Sequence, residues 1–341
     1  MTQTLPQAAV KYSEAQRLEI QAAVAAVARQ WKRMSPEFDS SWAQIAPTVT
    51  AIVSTAQERI AKQSIAYIPA VLAETGQDAA VATSYQINAR ALVGVTGAGI
   101  ATSEALSAVT IRAKQAIQSS IFTDGDVSTL RAGLSTQEAL TSAGLWLTSS
   151  VGTILSDTGR AGEALGMYTR PVSGYIRMLS PPSCSRCVIL AGKRYKKRDA
   201  FRRHPRCDCR NIPADENVAG DLTTDPSAYF DSLGPEAKLK FAGSKANLQA
   251  LNDGADMNQI VNAYRKTSGM QAAQVSPIKI DRFGNKFTTE GTTKRGVGGK
   301  AQLAQRRNGP QQVRAMPETI YATAANEADA LRLLRLYGWI F

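Results

Sequence analysis

Apolar residues recur at helical spacing through the first half of the chain. In the first such stretch they lie three or four residues apart, on one face of an amphipathic helix: Ile20, Val24, Val27 and Trp31. A capping box of Ser13 and Gln16 predicts the start of this helix, and Pro36 predicts its end. After Pro47, the same periodicity predicts a second helix that continues to Pro69.

Alanine-rich stretches extend the helical pattern to about residue 165. They predict helices from about Asp78 to Val93, from Thr102 to Ser119 and from Thr136 to Leu155. Alanine has the highest intrinsic helix propensity, and its small side chain lets helices approach closely. The glycine-rich run 94–99 lacks the Gly-Lys-Ser/Thr ending of a phosphate-binding loop, so it predicts a turn between two helices.

The pattern changes near residue 168. Tyr175 to Leu179 is short, rich in β-forming residues and predicts a strand, whereas Val188 to Leu190 fits a return strand or a short helix. Farther along, helices are predicted at three places: after Asp225-Pro226, from Glu236 to Ala250, and from Met257 to Arg265. Beyond Thr267, Gly, Thr and Lys predominate and predict a loop or an extended arm.

These patterns predict a mainly α fold of four parts. A helical domain covers residues 1–165, and a small α+β domain with a Cys/His zinc knuckle covers 166–268. An extended basic arm covers 269–316, and a C-terminal docking helix covers 317–341. The last three residues are apolar, so we expect them to pack against the core of this chain or against a neighbouring subunit.

The candidate metal ligands are concentrated in one window of 26 residues, which holds every cysteine and the only histidine: Cys184, Cys187, His204, Cys207 and Cys209. Two short-spaced groups separated by a loop are how chains commonly supply a tetrahedral zinc site, so we predict structural zinc. Four ligands suffice, and the spacing leaves open a four-cysteine set and a Cys3His set. The alternatives are two disulfides and four buried cysteines without metal. The N-terminus has no basic or apolar signal-peptide region, which favours reduced thiols.

The same window is strongly basic. Ten Lys and Arg residues oppose two Asp residues between positions 184 and 210, a net +8 against +12 for the whole chain. Such clusters attract polyanions, although a solvated basic loop is the alternative. The predicted contacts to nucleic acid phosphate, which we expect to be non-specific, are Arg186, Lys193, Arg194, Lys196, Lys197, Arg198, Arg202 and Arg203.

The sequence disfavours several other functions. No apolar run approaches the length of a membrane span, so we expect no membrane contact. A Ser-His or Cys-His nucleophile would have to use His204, which lies in the metal cluster and precedes Pro205. We therefore predict no catalytic residues and no small-molecule substrate, while a Ser-Lys pair or paired carboxylates stay open. A zinc-stabilised DNA-binding regulator is disfavoured, because the basic residues lie in a loop rather than on a recognition helix.

The cysteine-histidine signature resembles that of the Mu F-type minor head proteins of tailed phages. The resemblance rests on Cys-x-x-Cys at Cys184, a following glycine at Gly192, and His-Pro-x-Cys-x-Cys from His204. Segments 225–230, 253–256, 290–293 and 331–338 are similar to the actinobacterial-phage branch. The resemblance covers about residues 170 to 341, and the first 165 match only in being helical.

That resemblance implies a minor capsid protein of the virion that acts in head morphogenesis. Its expected partners are the portal and capsid proteins, with packaged DNA as a further, non-specific partner. The expected location is the capsid interior near the portal vertex, after assembly in the host cytoplasm. A capsid maturation protease is the alternative that the family leaves open.

Overall fold

The computed structural model describes residues 5–80, 87–118, 120–124, 127–179, 183–191, 193–199, 209–216, 225–264, 278–288 and 314–340. For residues 120–124 and 127–131 only the backbone is described. The described chain is mainly helical with small antiparallel sheets, as the sequence predicts. None of the helices in these ranges is long and apolar enough to cross a bilayer.

The contacts group the chain into two units. The first unit comprises Met1–Pro181 and Gly192–Thr224, and the second comprises Pro182–Ala191 and Asp225–Phe341. The short segment Pro182–Ala191 therefore belongs to the second unit, although the sequence on both sides of it belongs to the first. The four-part division proposed above stays a prediction.

Long helices dominate the first unit. They are α1 (Gln7–Trp31), α2 (Phe38–Glu74), α3 (Thr102–Ile117) and α4 (Thr136–Tyr168). Their apolar faces form one core, in which the periodic residues Val27, Val49 and Val53 are fully buried. Ile20, Val24 and Trp31 pack against it from the edge, so the predicted face of α1 is confirmed.

Glycines on α4 set how closely the neighbouring helices approach. A Cβ added at Gly162 would overlap Ser64 Oγ of α2, and one added at Gly144 would overlap the Trp31 ring of α1. A Cβ at Gly166 would lie 2.6 Å from Ile68 Cγ1. Because real side chains do not come so close, the backbone of α4 can lie against α1 and α2 only where these positions lack a side chain.

Several predicted helix ends are wrong. The first helix begins at Gln7, so Ser13 and Gln16 lie inside it and cap nothing. Its free amides at Gln7 and Ala8 donate instead to the Glu74 carboxylate, at 2.6 and 2.7 Å. That carboxylate lies at the end of α2, where it also offsets the positive end of the α1 dipole.

Helix α2 runs through both prolines that were expected to bound it. An interior proline costs about 3 kcal/mol because one backbone hydrogen bond is lost. Pro47 lies on the exposed face, where water can reach the Ala43 carbonyl that loses its partner. Fully buried Ile45 and Val49 flank it, and their burial offsets the loss.

Between α2 and α4 the chain departs further from prediction. Instead of a helix from Asp78 to Val93, the described part contains only a short 3-10 helix, Ala89–Leu92. Residues 94–99 form the predicted turn, with left-handed Gly94 and Gly99. A hairpin that the periodicity did not predict follows α3, in which β1 (Ser120–Asp124) pairs with β2 (Val127–Arg131).

A three-stranded antiparallel sheet completes the first unit. The predicted strand is present as β3 (Gly174–Met178), which lies between β4 (Arg194–Lys196) and β5 (Arg210–Pro213). Ile212 and Tyr175 join Tyr12, Tyr67 and Met167 in a second apolar cluster. The sheet is therefore packed on the ends of α1, α2 and α4.

The second unit contains short helices, many with an N-terminal cap. They are α5 (Ser185–Val188), α6 (Pro226–Asp231), α7 (Pro235–Ala242), α8 (Lys245–Asn252), α9 (Met257–Ala263), α10 (Pro317–Thr323) and α11 (Glu327–Leu336). The helix predicted from Glu236 to Ala250 is two helices, because Gly243 at φ 81° ends α7. The final helix is likewise divided, with Asn326 capping its second part.

A second small sheet lies in the region predicted as an extended arm. Strands β6 (Ile278–Ile280), β7 (Lys286–Thr288) and β8 (Arg314–Ala315) pair antiparallel, and residues 281–285 form the β6–β7 turn. The remainder of the predicted arm lies outside the described residues. Trp339 is fully buried beside this sheet and donates from Nε1 to the Ala315 carbonyl at 2.9 Å. The chain's own core is thus what receives Trp339.

Candidate functional site

The first pair of predicted metal ligands lies on one helical turn. Cys184 is the N-cap residue of α5, Cys187 lies within that helix, and the Cys187 amide donates to the Cys184 carbonyl at 2.9 Å. This turn brings the two sulfurs to 3.3 Å from each other. Two thiolates on one tetrahedral zinc lie about 3.8 Å apart, given bond lengths of about 2.3 Å. The pair thus offers two converging sulfurs, the geometry that half of a zinc site needs.

The second group is described only at Cys209. Cys209 is fully buried immediately before β5, and its carbonyl oxygen accepts a hydrogen bond from Arg160 Nε at 3.4 Å. Cys184 and Cys187 belong to the second unit, and Cys209 belongs to the first. His204 and Cys207 lie outside the described residues.

The complete ligand set therefore stays a prediction. Among the described residues no group of three or more Cys, His, Asp or Glu side chains is placed to hold a metal. Two of the five predicted ligands are not among those residues. The observation that bears on zinc is the convergence of the Cys184 and Cys187 sulfurs.

Two of the predicted basic residues, Arg194 and Lys197, have side chains that bond to other parts of the first unit. Arg194 contacts Glu216 at 3.2 Å and donates to Ser173 Oγ at 2.8 Å, while Lys197 donates to the Arg170 carbonyl at 2.6 Å. Partial burial lowers the pKa of Lys197. These two side chains hold the edge of the sheet.

Three other predicted basic residues have exposed side chains that are available to contact a polyanion. Lys193, Lys196 and Arg198 are exposed on and beside the edge strand β4, and within the described chain none forms an ion pair. Arg186 is half-buried on α5. Arg202 and Arg203 lie outside the described residues. The described positive surface is therefore smaller than the sequence count indicates.

A buried charged cluster, which the sequence patterns did not predict, lies under the same sheet. Glu163 on α4 is fully buried, accepts from the Tyr12 hydroxyl at 2.9 Å and accepts from the Asn211 amide at 3.1 Å. Arg160 and Arg210 are buried in the same unit, and the charges of both act on Glu163. Through its hydrogen bonds, the Glu163 carboxyl ties α1, α4 and β5 together.

Burial controls the proton on Glu163. Loss of water raises the pKa of Glu163, while the positive charge of Arg210 and the hydroxyl of Tyr12 oppose the rise. Burial also raises the pKa of Tyr12, whose ring stacks on Tyr67 at 4.2 Å between centroids. The Tyr67 hydroxyl donates to the Asn211 carbonyl at 3.0 Å, so both tyrosines stay protonated donors.

A sequence signal for this cluster does exist. Helix α4 has four charged residues in 33 positions, and three of them fall within seven residues: Asp157, Arg160 and Glu163. Asp157 pairs with Arg160 at 2.6 Å. A compact group of charges in an otherwise Ala-, Gly- and Ser-rich helix indicates a buried polar network rather than a solvated face.

Comparison of the chain with protein-family models, curated proteins and solved structures finds no match.

Proposed function

We propose that this chain is a structural minor capsid protein of a tailed phage that acts in head morphogenesis. In this proposal it associates with the portal and the capsid proteins at the capsid interior, near the portal vertex. It binds zinc as a structural ion and contacts packaged DNA without sequence specificity. The proposal rests on the Mu F-like signature of Cys184, Cys187, His204, Cys207 and Cys209.

The geometry of the first cysteine pair supports the zinc component. A separation of 3.3 Å between the Cys184 and Cys187 sulfurs is far beyond the roughly 2.05 Å of a disulfide and needs only a small adjustment to bind one zinc. When bound, zinc supplies a closed structural centre rather than a catalytic one. The thiols must lose their protons to bind it, so affinity falls in acid.

The exposed basic residues support the DNA component. Lys193, Lys196 and Arg198 lie close together in sequence around one edge strand, and no described acidic side chain pairs with them. Lysine and arginine on a strand edge neutralise phosphates without reading bases. The side chains that would stack on bases are sparse in this window, which fits non-specific contact.

Zinc content and partner binding test the proposal together. Full-length protein purified with reductant and without chelator should contain stoichiometric zinc, and Cys184→Ser with Cys187→Ser should lose it. Ser185→Ala, between the two cysteines, is the matched control and should keep its zinc. The protein should also co-sediment with the portal of the same phage and leave the major capsid protein intact. Absence of zinc, or cleavage of the capsid protein, would contradict the proposal, and cleavage would favour the protease.

Salt-dependent DNA binding tests the basic group separately. Reversing Lys193, Lys196 and Arg198 to Glu should reduce the slope of log affinity against log salt by up to about 2.7, since each lost phosphate contact contributes about 0.9. Reversing the exposed residues Lys11 and Arg29 on α1 and Lys32 immediately after it changes the net charge equally. An equal effect of both triple variants would show that net charge, and not this strand edge, governs DNA binding.

A further inference from the structure

A cavity of about 440 Å³ lies between α1 and α4 in the first unit. Ile20 and Val24 form its α1 wall, and Ser149, Gly152 and Ser156 form its α4 wall. A Cβ at Gly152 would lie 4.0 Å from the Cγ2 atoms of both Ile20 and Val24, which is ordinary van der Waals contact, so α1 and α4 approach less closely here than at Gly144. The volume is in the range of clefts that hold small organic ligands.

A buried arginine also lines this cavity. Arg210, the first residue of β5, is 1% exposed. Its Nη1 donates to the Cys209 carbonyl at a long 3.4 Å, and among the described residues its Nε has no hydrogen-bond partner. A buried guanidinium with few partners is costly, because its hydration has been lost without replacement.

The nearby Glu163 carboxylate does not supply the hydrogen-bond partner that Arg210 lacks. Glu163 attracts Arg210 through space, but its two oxygens accept from the Tyr12 hydroxyl and the Asn211 amide. No ion pair within 4.0 Å joins Glu163 to Arg210 in the described chain. A ligand that brings a second carboxylate would therefore stabilise Arg210.

The cavity combines this positive charge with an apolar wall. Arg17 lies exposed at the rim, one helical turn from Ile20, and adds a second cation. Ser13 and Ser156 supply nearly buried hydroxyls. An inorganic anion would leave Ile20 and Val24 in contact with water, and an uncharged apolar molecule would leave Arg210 Nε without a hydrogen-bond partner.

We infer that the cavity between α1 and α4 binds small carboxylates that carry a short apolar chain. The carboxylate lies on the side of Arg210 and Arg17, and the chain lies along Ile20 and Val24. Guanidinium–carboxylate hydrogen bonds are the strong, charge-assisted kind, so the head group supplies selectivity. This binding activity is independent of the proposed role in the phage head.

Calorimetric titration of the full-length protein with octanoate, 1-octanol and octylamine tests the inference. We expect octanoate to bind at least tenfold more tightly than either of the other two. Arg17→Met should weaken octanoate binding severalfold without affecting octanol. Equal affinity for octanoate and octanol would overturn the proposal.

A cavity-filling variant avoids the risk of misfolding that a change at buried Arg210 carries. Gly152→Leu places its side chain between Ile20 and Val24 and should weaken octanoate binding at least tenfold. Thr141→Leu, at an exposed position of the same helix, is the matched control and should bind as the parent protein does. Unchanged octanoate binding in a folded Gly152→Leu protein would place the ligand elsewhere and refute the site.

Discussion

The two units differ in how their helices are stabilised. In the first unit, α1, α2 and α4 are 25, 37 and 33 residues long and share one continuous core. In the second unit, the longest described helix has 10 residues. Isolated helices shorter than about 12 to 15 residues are marginal in water, so these short helices depend on their caps and on tertiary contacts.

Local side chains supply those caps in the second unit. Asp225, Ser244, Asp256 and Asn326 each accept a backbone amide in the first turn of their helix, at 2.8 to 3.1 Å. In the first unit the amides at the start of α1 depend on Glu74, which is 66 residues away from Ala8. The short helices of the second unit thus begin at local caps, whereas α1 of the first unit begins at a contact distant in sequence, although α4 has a local capping box of Ser135 and Glu138.

The largest effect is expected at the centre of the second unit. Trp339→Ala should destabilise this unit by about 3 to 5 kcal/mol, since a fully buried indole and its hydrogen bond to Ala315 are lost. Hydrogen exchange of peptides from 250–263 and 314–340 measures the change. Phe283→Ala, where the side chain is 73% exposed, is the control and should change little. Unaltered protection in Trp339→Ala would contradict the central role of this residue.

Arg314 strengthens the same centre. Its guanidinium lies 3.8 Å from the Trp339 ring and donates to the Tyr337 and Gly338 carbonyls at the end of α11. Burial lowers the pKa of Arg314 to about 10. The C-terminal segment is thus held by stacking and by charge at a helix end, in addition to apolar contact.

A smaller effect is expected from glycines of α4 in the first unit. Gly162→Ala should destabilise the unit by about 1 to 3 kcal/mol, because the new methyl group would overlap Ser64 Oγ. Gly152→Ala has room at 4.0 Å and should gain up to about 1 kcal/mol from helix propensity. Urea unfolding followed by circular dichroism measures both. Shifts of the same sign would show that close helix approach does not control this unit.

The smallest predicted effect is a pH dependence from Glu163. Its pKa is raised in the folded protein, so its contribution to stability is present below the unfolded pKa of about 4.5 and declines as pH rises through the folded value. Each unit of increase corresponds to about 1.4 kcal/mol. Unfolding free energies between pH 4.5 and 8 should therefore fall less steeply in Glu163→Gln than in the parent. Identical slopes in the two proteins would exclude this carboxyl as the source.

The sequence predicted the interiors of the long helices well, because burial imposes a period of 3.6 residues that Val27, Val49 and Val53 follow. It failed at the start of α1 and at the prolines of α2, although the predicted starts of α3 at Thr102 and of α4 at Thr136 are correct. Glu74 caps α1 from another helix, and the solvation of the Ala43 carbonyl that lets α2 pass Pro47 depends on which face is exposed. Neither fact is local in sequence.

The candidate site was predictable to a similar extent. The Cys-x-x-Cys spacing correctly indicates two sulfurs on one turn, since two intervening residues return the chain to the same side. The basic count overestimates the free positive charge, because Arg194 and Lys197 are tied to the sheet and Arg210 is buried. Charge composition does not show which lysine and arginine side chains pair within the chain, because the fold determines those contacts.

The interrupted first unit has a consequence for synthesis on the ribosome. Strand β3 must wait for β4 and β5, and between them the ribosome makes the segment Pro182–Ala191, whose partners begin only at Asp225. The newly made chain therefore contains Cys184 and Cys187 before the rest of the second unit has been synthesised. During that interval both thiols are open to oxidation or to premature metal capture.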